Sequence, residues 1–234
     1  VKVQDASDNG FQPRGKQCII NTGIWYTPVS GIWQTVWLEP VAPAHIENYY
    51  VVSDVDKSTM TIEVDANTSE GDVVKVAVLE GGQGYSAENP SSKVIAEARV
   101  QNGKAEIKID NMKTWSPDSP YLYGVRLTVT RDGKVVDTVE GYTAMRKISI
   151  VKDKSLNAYH RMALNNDPLF QFGPLDQGWW PDGLYTAPTD EALKFDVAKT
   201  KELGFNMIRK HIKVEPARWY YWCDVYGMLV WQDM

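Results

Sequence analysis

The stretch at residues 102–109, NGKAEIKI, places a two-residue turn signal directly before a run of alternating apolar and polar side chains. Asn-Gly strongly favours a tight β-hairpin turn, because both positions must tolerate a positive φ. Alternation indicates a strand with one buried and one exposed face. The run MTIEV at 60–64 and the pair Asp132-Gly133 repeat these two signals. This part of the chain is therefore predicted to be antiparallel β-structure.

Seven strand-like runs surround that stretch, with turn signals between them and no helical period. They are residues 46–53, 59–65, 73–79, 93–100, 104–109, 122–130 and 134–140. Short strands at this spacing are typical of an immunoglobulin-like β-sandwich, which we predict for residues 44–147. Helix content there is expected to be near zero.

Two further strand-like runs, 16–26 and 31–41, precede the sandwich and are separated by the turn signal TPVSG. A two-stranded piece is not stable alone. Residues 1–43 are therefore predicted either to pack on the next domain or to be the tail of a preceding one.

The chain changes character after residue 147. The pattern predicts a strand at 169–172, a helix at 190–203, a strand at 205–212, a helix at 217–226 and a strand at 228–232. This βαβαβ order indicates a parallel sheet with right-handed crossovers. No phosphate-cradling glycine motif follows the first strand, which favours the start of a barrel over a dinucleotide-binding fold.

The composition of the chain argues against two classes of partner, nucleic acids and membranes. The 234 residues are 43% hydrophobic and carry a net charge of −5, and Lys and Arg never run longer than two. These values argue against a nucleic-acid partner, and no apolar stretch approaches the roughly 18 residues of a membrane span. The two cysteines, Cys18 and Cys223, cannot form a disulfide framework or a cysteine metal site. The nine tryptophans and twelve tyrosines suit sugar faces, although most are expected in cores.

Candidate chemistry lies at the carboxyl ends of the predicted parallel strands, where barrel sites are built. The candidates are Asp176, Gln177, Trp179, Trp180 and Asp182 after the first strand, Arg209, Lys210 and His211 late in the second, and Asp233 after the third. One interpretation is a mouth-facing Arg209–His211 pair beside Asp233. The alternative is an ion-pair network that only closes this end of the sheet.

Two other interpretations of these residues are less favoured. Asp176 and Asp182 could form a carboxylate pair for glycosidic cleavage, but a loop cap at Asp176 and an Asp-Gly turn at Asp182 are the favoured interpretation. His211 with Asp233 offers two metal ligands without a third, so neither a metal nor another cofactor is predicted.

Four segments resemble glycoside hydrolase family 2, the group of β-galactosidases, β-glucuronidases and β-mannosidases. SGIWQTVWL at 30–38 resembles the last strand of the family's sugar-binding jelly roll, and WSPDSPYLY at 115–123 a motif of its immunoglobulin-like domain. GYTAMRKI at 141–148 resembles the strand leaving that domain. GFNMIR at 204–209 with CDVYGMLV at 223–230 resembles the second and third barrel strands.

The resemblance implies a retaining mechanism with two glutamates, after the fourth and seventh barrel strands. Both are expected beyond residue 234, so no catalytic residue is predicted in this chain; Glu39 and Glu215 match neither motif. It implies that Arg209 lies at the base of the pocket and that Asp233 contacts the sugar. His211 stands one place before the family's usual histidine, and residues 173–189 match no named activity.

The resulting expectation is a jelly-roll tail at 1–43, an immunoglobulin-like sandwich at 44–147 and the first three strands of a (β/α)8 barrel at 148–234. We predict part of a retaining glycosidase that removes terminal β-linked sugars, inactive as this fragment alone. Its predicted substrate-binding residues are Arg209, Asp233, His211, Asp176 and Trp180. The alternative is a non-catalytic carbohydrate-binding or spacer module. A homo-oligomer and a periplasmic or secreted location are open expectations.

Overall fold

A computed structural model describes residues 2–153, 155 and 159–233. The chain forms two compact units. One comprises Glu39–Phe170 and is called the sandwich unit. The other combines the residues up to Leu38 with those from Gln171 onward and is called the parallel-sheet unit.

Seven strands build most of the sandwich unit. They are β1 His45–Asp54, β2 Thr59–Asn67, β3 Val73–Gly82, β4 Val94–Arg99, β5 Lys104–Lys108, β6 Leu122–Arg131 and β7 Lys134–Thr143. They form two antiparallel sheets, ordered β1-β2-β5 and β4-β3-β6-β7. All seven predicted strands are confirmed, and residues 44–147, which are all described, contain no helix.

Alternation along the strands supplies the core of this sandwich. Met60 and Ile62 of β2 are fully buried, whereas Glu63 between inward-facing neighbours is exposed. Val125 and Leu127 of β6 are buried in the same cluster. Burying apolar side chains stabilises the fold by about 25 cal/mol per Å² removed from water.

The Asn102-Gly103 turn corrects one prediction. Its φ values of 50° and 75° and the paired backbone hydrogen bonds between Gln101 and Lys104 give the expected tight turn. However, β4 and β5 belong to different sheets, so the turn carries the chain across the sandwich instead of closing a hairpin. Asp132-Gly133 does close a hairpin, between β6 and β7.

A third sheet in the sandwich unit was not predicted. Its strands are β8 Ile148–Asp153, β9 Tyr159–Leu164 and β10 Asp167–Pro168, in the order β10-β9-β8. Asn165 and Asn166 form the turn before β10 with φ values of 52° and 74°. This asparagine pair, which tolerates the left-handed region, was the available signal.

The parallel-sheet unit contains the predicted βαβαβ order. Its elements are β11 Leu175–Asp176, α1 Asp190–Glu202, β12 Met207–Lys210, α2 Ala217–Tyr226 and β13 Leu229–Gln232. The strands are parallel and adjacent in chain order. Val197 of α1 and Trp219 and Cys223 of α2 share one buried cluster with Ile208 of β12. Both helices therefore cover the same face of the sheet.

Two apolar runs are not strands. Residues 169–172, predicted as a strand, lie between β10 and β11 in irregular structure. Leu169 N–H donates to Met162 O at 3.1 Å, whereas Phe172 N–H donates to Asn206 Oδ1 at 2.9 Å and Phe172 O accepts from Asn206 N at 3.3 Å. Gly173 then approaches Met207 so closely that a Cβ would lie 1.6 Å from its carbonyl oxygen.

The runs at 16–26 and 31–41 also lack the predicted strands. A single bridge joins Gln17 and Tyr26, and no ladder forms in either run. Strand-like sequence needs a neighbouring strand to pair with. Among the described residues none pairs here, and Trp33 instead packs its ring edge-on against Tyr185 at 5.3 Å.

Candidate functional site

The carboxyl edge of the parallel sheet sorts its side chains onto two faces. Asp176, Lys210 and Gln232 are register partners on β11, β12 and β13. The Lys210 ammonium lies 4.3 Å from the Trp219 ring of α2, on the helix-covered face. Because side chains alternate along a strand, Arg209 points to the opposite face, where 46% of its side chain is exposed.

On that opposite face, the polar side chains of Arg209 and His211 both contact Asp233. Arg209 donates to both of its oxygens, Nε to Oδ1 at 3.1 Å and Nη2 to Oδ2 at 3.0 Å. His211 Nδ1 lies 3.2 Å from Oδ2. The hydrogen bonds and charge of Arg209 hold the pKa of the Asp233 carboxyl below its ordinary value, with smaller contributions from His211 and the Ile212 N–H. The carboxylate is therefore ionised at neutral pH.

Ile212 turns the chain sharply after this strand. Its φ is +47°, a region that β-branched residues strongly disfavour. Strain of this kind costs on the order of 1–3 kcal/mol and is often found at functional sites. The turn brings the Ile212 N–H towards Asp233 and sends the next side chain, that of Lys213, into the interior.

Four ionisable side chains, Asp176, Lys210, Lys213 and Glu215, form a buried charge cluster. Lys210 Nζ lies 2.8 Å from Asp176 Oδ2 and 2.8 Å from Glu215 Oε1. Lys213 Nζ lies 3.0 Å from the same Glu215 oxygen. The side chains of both lysines are 1% exposed. Burial lowers the pKa of the Lys213 ammonium, and the Glu215 charge opposes this shift.

Four rings form an aromatic wall, which we define as Tyr26, Trp33, Trp179 and Tyr185. Trp179 lies 5.3 Å from Tyr26 and 4.7 Å from Tyr185 between ring centroids. The rings of Tyr26 and His211 are nearly perpendicular, with 6.5 Å between their centroids. These spacings suit tilted and edge-to-face contacts, which add stability beyond the buried area. The wall thus stands beside the polar groups that meet at Asp233.

A cleft of about 900 Å³ lies between the N-terminal residues and the carboxyl edge of the sheet, within the parallel-sheet unit. Its lining includes Arg14, Lys16, Trp33, Tyr185, Lys213 and Asp233. Clefts of roughly 300–1,000 Å³ with a few convergent polar groups are typical of small-ligand sites.

The structure brings together three of the predicted site residues and separates the other two. Arg209, His211 and Asp233 meet as described, whereas Asp176 belongs to the buried charge cluster. Trp180 packs against the core shared by α1 and α2. Of the five predicted residues, Asp233 is the one that lines the cleft.

The two aspartates considered as a carboxylate pair occupy separate local structures. Asp182 is exposed within a turn closed by paired backbone bonds between Trp180 and Leu184. Asp176 accepts from the Gly178 N–H at 2.8 Å and pairs with Lys210. This geometry matches the turn and loop-cap interpretation.

Sequence reasoning missed Lys213, Glu215 and the aromatic partners of Trp179. The available signal was the density of charge in RKHIKVE at 209–215, between a buried strand and a helix. Within the described part of the chain, no three His, Cys, Asp or Glu side chains are grouped as a metal site. Neither of its helices is long and apolar enough to cross a membrane.

The fold and the site define a multidomain chain in which a β-sandwich accompanies a parallel β/α unit with a polar cleft. The family model for glycosyl hydrolases family 2 matches residues 44–146. A β-galactosidase of Thermoanaerobacter pseudethanolicus is 26% identical over 222 residues, covering 89% of this chain and 28% of the relative. A β-galactosidase of Lactococcus lactis is 32% identical over 130 residues, covering 55% of this chain and 12% of the relative.

Solved structures agree with this fold. The β-glucuronidase of Ruminococcus gnavus superposes with a TM-score of 0.66 at 20% identity, over 82% of this chain and 30% of its own. The chain is thus similar to β-galactosidases over most of its length and to glycosyl hydrolases family 2 over residues 44–146. It spans less than a third of the length of these relatives.

Proposed function

We propose that this chain is part of a retaining glycoside hydrolase that cleaves terminal β-linked sugars. The observation that carries the proposal is the Arg209–Asp233–His211 set at the carboxyl edge of parallel strands, beside an aromatic wall, in a chain whose residues 44–146 match the model of family 2. The names of the relatives support β-galactosides and β-glucuronides as substrate candidates.

We also propose that β11, β12 and β13 are the first three strands of a (β/α)8 barrel. Their sequential order, with both helices on one face, supports this, since a doubly wound sheet places helices on both faces. The boundaries expected from the sequence are kept as part of this proposal: residues 1–43 are the end of a jelly roll, 44–147 form the sandwich and 148–234 belong to the barrel segment, whose parallel strands begin at β11. We propose that the two catalytic glutamates lie in the part of the relatives' length that this chain does not cover.

In this proposal, the described residues bind and orient the sugar. Asp233 takes two of the five N–H donors of Arg209, and the exposed guanidinium offers the others to sugar hydroxyls. His211 uses Nδ1 toward Asp233, which leaves Nε2 for the ligand. Asp233 itself accepts further hydroxyl donors through its remaining lone pairs.

Replacing Asp233 tests this role in the enzyme that contains this segment. Two charge-assisted hydrogen bonds are each worth roughly 1.5–3 kcal/mol, so Asp233→Ala is expected to lower kcat/KM at least about a hundredfold. Asp182→Ala, at the exposed turn, is the matched control and should leave kcat/KM unchanged. Near-normal kcat/KM in Asp233→Ala would remove Asp233 from the sugar site. A large loss of Tm with intact kinetics would make its pair with Arg209 purely structural.

A substrate panel tests where the catalytic groups lie. Without the two glutamates, this chain is expected to show no turnover of aryl β-galactosides, β-mannosides or β-glucuronides. Activity that survives repurification and disappears on replacing Asp176 or Asp182 would contradict the proposal and restore the local carboxylate pair.

A further inference from the structure

We propose that Lys213 and Glu215 are positioning residues. They hold the β11–α1 loop, residues 177–189, so that its Trp179 stands in the aromatic wall beside His211. The ligand of this wall, a pyranose ring, rests on the proposed function. The positioning of the loop by Lys213 and Glu215 does not depend on that function, so the positioning and the ligand can be tested separately.

Lys213 binds the loop at two separated points. Its Nζ donates to the Gly178 carbonyl at 2.5 Å and to the Tyr185 carbonyl at 2.9 Å. The third partner is Glu215 Oε1 at 3.0 Å. An ammonium has three donors, so Lys213 is fully satisfied inside the protein. Its contacts therefore serve the loop and leave no donor for a ligand.

Glu215 links Lys213, through Lys210 and Asp176, to the start of the loop. The oxygen that meets Lys213 also accepts from Lys210, which in turn pairs with Asp176. Asp176 ends β11 and accepts the Gly178 N–H. The loop is thus fixed at its first residues and again at Tyr185.

Gly178 lets the cluster reach the loop backbone. A Cβ at this position would lie 2.3 Å from Glu215 Oε1 and 3.0 Å from Lys210 Nζ. The residue also has a φ of +66°, which favours glycine. The charged side chains and this stretch of backbone are therefore matched in shape as well as in hydrogen bonding.

Aromatic rings flank the buried cations. The Lys213 ammonium lies 4.8 Å from the Tyr185 ring and 5.4 Å from the Trp33 ring. Cation–π contacts of this kind strengthen when water is excluded. The same lysine thereby links the charge cluster to two members of the aromatic wall.

Buried ion pairs contribute little net stability, because desolvation offsets their attraction, so the proposal gives this cluster a positioning role. The geometry fixed here is that of Trp179, between Tyr26 and Tyr185. Trp33 and Tyr185 of this wall line the cleft together with Asp233, so a sugar ring bound there would meet the wall with its apolar face while Arg209 and His211 meet its hydroxyls. Loosening the loop should therefore weaken sugar binding without changing the bond-cleaving groups.

Lys213→Met tests the proposal, with Lys199→Met as the matched control. Lys199 is an exposed lysine on α1 that pairs with Glu202 at 2.6 Å. In Lys213→Met we expect hydrogen exchange of the loop amides at least tenfold faster, with amides of α2 unchanged. In the enzyme that contains this segment, KM for an aryl β-galactoside or β-glucuronide should rise at least fivefold with kcat within threefold. Lys199→Met should change neither quantity.

Unchanged loop exchange in Lys213→Met would overturn the proposal. Faster loop exchange with an unchanged KM would equally overturn it, because the loop would not then position a sugar contact. If the unaltered enzyme hydrolyses neither glycoside, the proposed function fails, whereas the exchange data still judge the holding of the loop.

A double variant covers the case in which Lys213→Met does not fold. Lys213→Met with Glu215→Gln removes both charges of the pair and leaves Lys210 with Asp176. Faster loop exchange in a folded double variant supports the proposal. Failure of the double variant to fold would make the pair purely structural and would overturn it.

Discussion

At the scale of single residues, Asp233 and Glu215 illustrate two uses of a carboxylate on opposite faces of one sheet. Asp233 is reached by Arg209 and His211 at the cleft. Glu215 is 2% exposed in its side chain and shared by two lysines. The buried carboxylate of Glu215 holds structure, whereas the carboxylate of Asp233 at the cleft can contact a ligand.

Gly178→Ala is predicted to destabilise the parallel-sheet unit. The new methyl group would clash with Glu215, and the positive φ adds strain, so we expect a loss of about 2–4 kcal/mol in the free energy of unfolding. Gly204→Ala is the control, since its φ is +88° but nothing lies within 4 Å of the added Cβ. Urea unfolding of both variants measures the difference. Equal losses in the two variants would contradict a steric role for Gly178.

Asp72 makes stability of the sandwich unit depend on pH. Arg131 donates to both its oxygens, at 2.8 and 2.7 Å, and lowers the pKa of Asp72 from 3.8 to about 2. A carboxyl with a depressed pKa in the folded state stabilises it above the unfolded pKa, and this contribution is lost as the carboxyl becomes protonated. The free energy of unfolding should therefore fall as pH drops from about 4 towards 2.

Asp72→Asn should flatten this acid dependence, because no proton is then taken up at the site. Urea titrations of the sandwich unit between those pH values compare the variant with the unaltered chain. Asp110→Asn, at an exposed turn position, controls for removal of one negative charge. An acid slope in Asp72→Asn as steep as in the unaltered chain would assign the dependence to other groups.

At the scale of elements, α1 depends on its first turn. Thr189 is the N-cap, and its hydroxyl accepts from the Ala192 N–H at 3.2 Å. Asp190 and Glu191 follow, where the helix dipole favours negative charge. The helix ends at Glu202. The N–H groups of Leu203 and Gly204 then donate to the carbonyls of Lys199 and Lys201.

Thr189→Ala is expected to lower the free energy of unfolding of the parallel-sheet unit by about 1 kcal/mol, because the capping hydrogen bond is lost. Thr200→Ala is the control: its hydroxyl bonds the Asp196 carbonyl inside the helix at 2.7 Å and caps nothing. That change should stay within about 0.5 kcal/mol. Thermal unfolding followed by circular dichroism distinguishes them, and an equal or larger loss in Thr200→Ala would refute the capping role.

At the scale of the whole molecule, the two units differ in how much core they contain. The sandwich unit buries fifteen residues in one cluster, including Val76, Val78 and Leu127 at 0% exposure. Among the described residues, the cluster shared by α1, α2 and β12 in the parallel-sheet unit has six. Its strands are two to four residues long, and Leu175 and Trp231 remain 46% and 43% exposed.

The parallel-sheet unit is therefore predicted to be the less stable of the two. Native-state hydrogen exchange should show amides of β3 and β6 protected at least about tenfold more than those of β12, because amides exchange through local and subglobal opening. The comparison should be repeated over a range of protein concentrations, since association between chains would raise the protection of β12. Equal protection in the two units at every concentration would count against the prediction.

Local chemistry let the sequence determine the elements of this protein. Alternation set the seven sandwich strands, and Asp132-Gly133 set a hairpin, because both signals act between near neighbours. The second helix was predicted at 217–226 and occupies Ala217–Tyr226, ended by Gly227 in the left-handed region. The first was predicted one residue too long. Four segments of the sequence added a resemblance to glycoside hydrolase family 2.

Only the tertiary structure decided how those elements pair and what their side chains meet. The Asn102-Gly103 turn could not reveal that its flanking strands enter different sheets, and strand-like runs at 16–41 found no partner strand. Trp179, not Trp180, joined the aromatic wall, and Lys213 met Gly178 and Tyr185 far back in the chain. These outcomes depend on contacts between residues distant in sequence, which local propensity does not encode.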